Sequence, residues 1–222
     1  MNLGILHEQL GRYAQAEAEF AEAADRFDKN LGPDHVNVGK ALVNLAGAKL
    51  GLRRYAEAES IARRGLAIEE KALGPDSGAL DTALENLAQA LDGLGRTADA
   101  RPPAERAVAL AEKQFGPEHR SLAELLETVA SIDLHDGRVA DADRNASRAA
   151  TIRAGVGGRD NRGALVLMAR IRLAEDRPAD ARDLLDRAHA VAGGDAADGE
   201  EVDRLRARAA AAVQPARGDR RR

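Results

Sequence analysis

Two short stretches contain residue types that perform chemistry in other proteins, but neither has the required spacing. His7 and Glu8 begin like the helix motif of zinc proteases, in which two histidines one turn apart bind the metal. The second histidine is absent, because Gly11 stands at its position. Residues 32–41 are similar to a phosphate-binding loop, yet they have too many residues before the Gly-Lys pair and an alanine where a metal-binding hydroxyl is needed. We therefore expect no zinc or nucleotide site.

The remaining reactive residue types are also poorly placed for catalysis. The chain has no cysteine, which excludes disulfides, thiolate metal sites and cysteine nucleophiles. His35 and His119 lie in separate turns, where a surface histidine is far commoner than a metal ligand. No serine has the surroundings of a nucleophile elbow, and no pair of carboxylates stands out. We expect a protein that is not an enzyme and that has no cofactor or metal.

The bulk composition narrows the classes of partner and the compartment. The net charge is −4 and the arginines are dispersed among acids, so nothing favours nucleic acid as a partner. Aromatic residues make up 2% of the chain, which is poor material for stacking on bases. No apolar run is long enough for a bilayer, and the N-terminus lacks a secretory signal, so we expect a cytoplasmic protein without membrane contact. Arginine greatly outnumbers lysine, and alanine is abundant, which is typical of a GC-rich bacterial genome.

One phrase returns along the chain at a fixed interval. It reads LGPDH at 31–35, LGPDS at 73–77, FGPEH at 115–119 and, more weakly, GGRDN at 157–161, so each step is 42 residues. A period of this size is typical of a solenoid built from stacked repeats. Apolar residues within a unit have helical spacing, and a short GLRRY-like stretch interrupts them. Each unit is therefore predicted as a helix from about Asp34 to Leu50, a tight turn, and a second helix from about Arg54 to Ala72.

The phrase itself predicts a joint between helices rather than a binding site. Its glycine, for example Gly32, would close one helix in the left-handed conformation, and Pro33 cannot continue that helix. An acid follows in each copy, where it can cap the next helix and complement its dipole. These acids are Asp34, Asp76, Glu118 and Asp160.

The phrases NLA, RRYAEAE and RRGLAIEEKALGPD, with their copies, resemble tetratricopeptide repeats of the longer kinesin-light-chain type over residues 1–192. The resemblance implies an all-α fold, a right-handed α-solenoid of about five antiparallel helix pairs. It also implies that paired helices approach closely at small residues, which are Ala16, Ala58, Ala100, Ala142 and Ala181. The family's usual tyrosine in the first helix is replaced throughout, by His7, Lys49, Leu91, Asp133 and Arg172.

The two ends of the array depart from a regular repeat. Met1 aligns with Val43, seven residues into a first helix, so the first repeat is truncated and Ile5, Leu6 and Leu10 would lack a cover. Solenoids need polar caps at their ends, and we consider self-association through the N-terminal helix. At the other end we predict a connector and capping helix over 193–213, in which the helix begins at residue 200 and has one apolar stripe. That stripe is Val202, Leu205, Ala209 and Ala212.

Two further segments are unusual. Residues 214–222 form a basic tail that we expect to be disordered. Pro102 and Pro103 lie inside the second helix of the third unit, where the second proline should kink the helix or delay its start.

In the resembled family the first helices line a concave groove, and an asparagine before the Leu-Ala or Leu-Gly pair commonly hydrogen-bonds the backbone of a bound peptide. The corresponding residues here are Asn2, Asn44, Asn86, Thr128 and Leu167. Two interpretations stay open for them: contact with a peptide, or a solvated or inter-repeat position within the solenoid. Lys40 shares a helix face with Asn44 and resembles half of a carboxylate clamp, but Glu124 stands where the other half needs a base.

The other groove-facing candidates in the third and fourth units are mostly acidic. They are Glu85, Gln89, Asp92, Glu124 and Glu127. We predict an acidic groove that prefers basic or mixed segments, with salt-sensitive affinity. The alternative is a run of charge on a solvated face.

These observations favour a non-catalytic scaffold or adaptor that binds a protein or peptide in the groove of the repeats. An alternative is a regulatory or sensor segment of a larger signalling protein. In that case the array binds intramolecularly, or the basic tail competes for the acidic groove. Self-association through the N-terminal helix is a third hypothesis.

Overall fold

The computed structural model describes residues 1–155, 161–191 and 196–213, and helices dominate these ranges. The helices are α1 (Asn2–Gln9), α2 (Tyr13–Leu31), α3 (Val36–Gly51), α4 (Tyr55–Leu73), α5 (Asp81–Gly93), α6 (Thr97–Phe115), α7 (Arg120–His135), α8 (Val139–Gly155), α9 (Arg162–Ala174), α10 (Pro178–Ala190) and α11 (Ala196–Val213). Consecutive helices pack as the pairs α1–α2, α3–α4, α5–α6, α7–α8 and α9–α10, which we call units 1 to 5. The predicted all-α solenoid is confirmed.

The second helices keep the 42-residue step even where prolines intervene. They begin at Tyr13, Tyr55, Thr97 and Val139. Pro102 and Pro103 lie inside α6, which starts in register with the others, so the predicted delay is wrong. Each proline lacks an N–H and therefore leaves one carbonyl of the preceding turn without its helical donor.

The joints between units differ in two details from the prediction. Gly32 has φ 89° and ψ 158°, and Gly74 and Gly116 are similar, so these glycines have positive φ with extended ψ rather than the left-handed helical conformation. Only glycine reaches this region readily. The caps are also one residue later than predicted, because Nδ1 of His35 accepts from the N–H of Asn37 at 3.1 Å.

His119 caps α7 in the same way, and Ser77 caps the 3₁₀ turn before α5. The acid before the cap instead faces the second helix of the unit that follows it. The carboxylate of Asp34, for example, accepts a hydrogen bond from Nζ of Lys71 at 2.5 Å. The proline and the acid both lie in the turn, so the helix cap is the residue after the acid. Asp160 lies outside the described residues.

Small residues bring the paired helices together as predicted. The side chains at the five small positions are fully buried, namely Ala16, Ala58, Ala100, Ala142 and Ala181. In unit 2 the approach is closest at Gly39 and Gly65, where an added Cβ on either glycine would lie 3.2 Å from the carbonyl oxygen of the other. The helices can pack at this distance because neither residue has a side chain.

Three of the residues that replace the family's tyrosine form ion pairs with the second helix of the preceding unit. Nζ of Lys49 in α3 donates to Glu17 of α2 at 2.8 Å. Arg172 in α9 donates to Asp143 of α8 at 2.7 Å. Between units 3 and 4 the polarity is reversed, because Asp133 in α7 accepts from Arg101 of α6. Two residues remain at this position: Leu91 is buried and His7 is partly buried.

The two ends of the array contrast in how well they are covered. Helix α11 begins at Ala196, four residues before the predicted start, and buries Val202 and Ala209 against α9 and α10. Leu205 is partly buried in the same cluster, whereas Ala212 is exposed. At the other end Ile5, Leu6 and Leu10 are exposed, as predicted. The basic tail lies outside the described residues.

Candidate functional site

The first helices of successive units line a groove of about 790 Å³. Seven of the nine predicted groove residues line it, and they are Glu85, Asn86, Gln89, Asp92, Glu124, Glu127 and Thr128. Lys40 and Asn44 do not line this groove; Lys40 is exposed, and Nδ2 of Asn44 lies 4.0 Å from Sδ of Met1. The structure therefore brings the candidates of α5 and α7 together and separates those of α3 from them.

Asn86 makes a hydrogen bond between units. Its side chain is buried, and Nδ2 donates to the carbonyl oxygen of Val43 at 2.9 Å. Thr128 at the equivalent position donates its hydroxyl to Glu85 at 2.8 Å, again in the preceding unit. These two hydrogen bonds link neighbouring first helices. The bond from Thr128 also orients the carboxylate of Glu85.

Glu85 contacts only neutral hydrogen-bond donors. Besides Thr128, Nε2 of Gln89 donates to it at 3.1 Å. Burial raises the pKa of Glu85 to about 7; the bond from Thr128 opposes the shift, and the negative charge of Glu124 adds to it. No cation forms an ion pair with Glu85 or Glu124 within the described residues. The nearest cation that acts on this pair is Arg153, whose charge reaches Glu124 while its hydrogen bonds go to Glu127.

The other two acids predicted for the groove, Asp92 and Glu127, have partners that sequence analysis did not identify. Arg153 of α8 donates to both oxygens of Glu127, at 2.7 and 2.9 Å. His135 lies with Nδ1 2.8 Å from Asp92, while Arg170 reaches its Nε2 at 2.7 Å. The geometry fits the tautomer in which Nδ1–H donates to Asp92 and Nε2 accepts from Arg170.

The sequence could have located one of these two partners. His135 is one step of 42 after Gly93, and Gly93 ends α5 beside Asp92, so the repeat alignment places His135 on the groove face. No comparable signal identifies Arg153, because it lies on a second helix and reaches the groove from behind α7.

The two tyrosines of the chain set the distance between neighbouring first helices. Tyr13 packs its ring against Gly51, and Tyr55 packs against Gly93. An added Cβ would lie 2.3 Å from a ring carbon at Gly51 and 2.4 Å at Gly93. Both rings border the groove. Glycine at these two positions lets each tyrosine lie between two first helices.

We predict that Gly93→Ala destabilises the protein by ~1–3 kcal/mol, because the new methyl group overlaps a rigid ring. Urea unfolding measures the loss. Gly155→Ala is the matched control, since nothing lies within 4 Å of an added Cβ there and its φ is not positive. Alanine favours a helix over glycine, so this control should be neutral or slightly stabilising. Equal losses in both variants would contradict the tyrosine contact.

The described residues form neither a metal site nor a membrane span. Within 1–155, 161–191 and 196–213, no three His, Asp or Glu side chains come together as metal ligands would. None of the helices in these ranges has both the length and the apolar character needed to cross a bilayer.

Five stacked helix pairs with a shared groove define the chain as an α-solenoid repeat protein. It belongs to the tetratricopeptide repeat family, whose pattern matches residues 1–71 and 39–113, together just over half of the chain. Proteins of this family are generally scaffolds for protein–protein interaction. No curated protein matches the chain in sequence.

Solved structures share the fold at low sequence identity. A Podosopora anserina putative kinesin light chain with TPR-like repeats has a TM-score of 0.64 and 21% identity, covering 85% of this chain and 91% of its own. BtubC (BKLC) from P. vanneervenii has a TM-score of 0.65 and 20% identity, with 99% and 82% covered. A thermophilic TPR protein from Thermus thermophilus has a TM-score of 0.62 and 21% identity, with 96% of each chain covered. At these identities the likeness concerns the fold alone.

Proposed function

We propose that the protein is a non-catalytic scaffold whose groove binds a basic segment of a partner protein. The observation that carries the proposal is the pair Glu85 and Glu124, which face the groove from neighbouring first helices and form no ion pair with any of the described residues. The acids beside them have partners within the chain: Arg153 neutralises Glu127, and His135 is hydrogen-bonded to Asp92. A cationic side chain of the partner would give these two acids an ion-pair partner.

The energetics support a specific but modest interaction. Glu85 is largely removed from water, and an arginine or lysine beside it would restore the favourable environment that its carboxylate lacks. Glu124 is exposed, so salt screens its contribution over about 10 Å at 0.1 M ionic strength. We expect the affinity to fall as the salt concentration rises. We also expect the opposite charges of groove and partner to speed their association.

The double variant Glu85→Lys/Glu124→Lys tests the proposal. Fluorescence anisotropy with a labelled hexa-arginine peptide should show at least tenfold weaker binding, and the remaining binding should depend less on salt. The matched control is Glu22→Lys/Asp25→Lys, which makes the same change in net charge on exposed positions of α2, away from the groove. If the two double variants bind the peptide equally well, the groove is not the binding surface.

A second candidate function is autoregulation by the basic tail, residues 214–222, which contain four arginines and one aspartate. Arg206 of α11 pairs with Asp186 of α10 at 2.7 Å, and His189 lies 3.8 Å from Asp203, so α11 runs antiparallel to α10 and parallel to α9. Its last residue is therefore at the edge of the groove where the first helices end. Nine extended residues span at most about 30 Å, enough to cross two neighbouring first helices.

Replacing the four tail arginines with serine separates the two functions. If the tail occupies the groove, the variant should bind hexa-arginine more tightly than the parent chain. If the groove serves only partner proteins, the two chains should bind the peptide alike.

A further inference from the structure

Of the two arginines that line the groove, Arg153 and Arg170, only the first has an acidic partner among the described residues. Arg153 is neutralised by Glu127. Arg170 is partly buried, and its one hydrogen bond within these residues goes to Nε2 of His135 at 2.7 Å, a neutral acceptor. A guanidinium has five N–H donors, so the other donors of Arg170 are open to an acceptor from a partner.

Arg170 belongs to a row of groove residues that repeats along the array. The row follows the 42-residue step, except for a last step of 39, and its members are Gly47, Gln89, Ser131 and Arg170. All of them line the groove, and the first three are neutral. Arg170 therefore adds a positive charge at the unit 5 end of the groove, whereas Glu85 and Glu124 give units 3 and 4 a negative charge.

The acids on the unit 5 side do not neutralise Arg170. Asp92 lies on the other side of the imidazole of His135, 2.8 Å from Nδ1, so the ring separates this carboxylate from the guanidinium. Glu201 of α11 lines the same groove but forms no ion pair with Arg170. A carboxylate from a partner could accept two parallel hydrogen bonds from the guanidinium, a geometry that adds both energy and specificity.

We infer that the groove binds a segment in which a basic and an acidic side chain lie four residues apart, the base at Glu85 and Glu124 and the acid at Arg170. This inference rests on the proposed function and adds an acid to the basic segment proposed there. Two contacts on α7 set the spacing, because Glu85 accepts from Thr128 and Arg170 donates to His135. Thr128 and His135 are two turns apart, about 10 Å on one face of the helix at 1.5 Å per residue.

The geometry of an extended chain selects the four-residue spacing. Residues four positions apart share a face of an extended segment and lie about 13 Å apart, which flexible arginine and glutamate side chains can shorten to about 10 Å. Residues two apart span only about 7 Å, and residues six apart span about 20 Å. Neither of these spacings fits both contacts.

The experiment measures the fluorescence anisotropy of two labelled peptides with blocked ends, Arg-Arg-Ala-Ala-Ala-Glu and the same sequence with glutamine in place of glutamate. Both are also made in reverse order, because the contacts do not fix the direction of the segment. In one of the two orders, the glutamate peptide should bind the parent chain at least threefold more tightly than the glutamine peptide. Arg170→Gln should remove this preference, and circular dichroism checks that the variant folds.

Arg120→Gln is the matched control for the charge. It removes the same charge at an exposed position of α7 that does not line the groove, so the preference for glutamate should remain. A peptide with its glutamate only two positions from the nearer arginine should lose the preference. The inference is overturned if the glutamate and glutamine peptides bind the parent alike, if Arg170→Gln keeps the preference, or if the shorter spacing does.

The double variant Glu85→Lys/Glu124→Lys separates this inference from the proposed function. It should weaken the binding of every peptide, because each carries the two arginines. If it does so while no preference for glutamate exists, the groove binds a basic segment without the use of Arg170, and only the present inference fails. If it weakens none of them, the proposed function fails as well.

Discussion

Replacing Asp133 with leucine should destabilise the protein by ~3–5 kcal/mol, the usual cost of removing one partner from a buried charged pair. The side chain of Asp133 is 1% exposed and accepts hydrogen bonds from Arg101 and, at 2.9 Å, from Asn145. Without the carboxylate, Arg101 keeps only Glu105 on its own helix as an acceptor, and Arg138, which lies 3.0 Å from Asp133, also loses a partner. Urea unfolding of the variant and the parent chain measures the difference.

The double variant Arg101→Leu/Asp133→Leu should recover at least half of that loss. An apolar pair can replace a buried ion pair without net cost when the side chains pack well. Leu91 occupies the equivalent position one unit earlier and is buried, so the site accepts leucine. Asp34→Leu is a control that breaks the exposed pair with Lys71 and should leave the melting temperature nearly unchanged. If the double variant is no more stable than Asp133→Leu, the loss does not come from an unpaired Arg101.

Replacing Glu69 with glutamine should stabilise the protein at pH 8 by about 3 kcal/mol, which follows from 1.36 kcal/mol per pKa unit. Burial raises the pKa of Glu69 from 4.5 to about 7; nearby Lys40 opposes the shift and Asp81 adds to it. The folded state thus keeps a proton that the unfolded state loses above pH 4.5. The free energy of unfolding falls as the pH rises from 4.5 to 7 and then levels off, because above pH 7 both states are deprotonated. Glutamine is uncharged at every pH and removes this penalty.

Unfolding in urea at pH 5 and pH 8 tests the sign. The variant and the parent should be close in stability at pH 5 and differ most at pH 8. Glu59→Gln is the matched control on the same helix: burial acts to raise the pKa of Glu59, but Arg63 and Arg96 outweigh it and lower the pKa, so this change should destabilise at pH 8. Part of the pH dependence should persist in Glu69→Gln, because Glu85 also has a raised pKa. A stability difference that is the same at both pH values would exclude Glu69 as the cause.

The repeat boundaries could be predicted from the sequence because backbone chemistry sets them. The Gly-Pro pair that recurs at a 42-residue step follows the end of a second helix at each of its three copies, so the observed helix ends lie close to the predicted ones. The capping residue could not be predicted as well. Both Asp34 and His35 can accept from a free amide, and only the turn geometry puts His35 at the cap.

The candidate site was predictable in outline but not in its charge balance. Repeat alignment placed Glu85, Gln89 and Glu124 on the groove face, and the structure has all three there. Whether an acid is free depends on long side chains that come from other helices. Arg153, for example, is 26 residues from Glu127 and neutralises it through a bidentate contact. Such pairings depend on the tertiary packing of units, which a periodic pattern does not specify.

The reversed charge pairs between units limit how the array can be rearranged by gene duplication. A tandem copy of unit 4 would bring a second Asp133 against Asp143, two acids in a buried interface. A copy of unit 3 would put Leu91 against Arg101 and leave that arginine without an acceptor on the neighbouring unit. A copy of unit 2 would place Lys49 against Glu59, a base against an acid. The array can therefore be extended at its second unit, whereas the order of units 3 and 4 is constrained by the charges of Arg101 and Asp133.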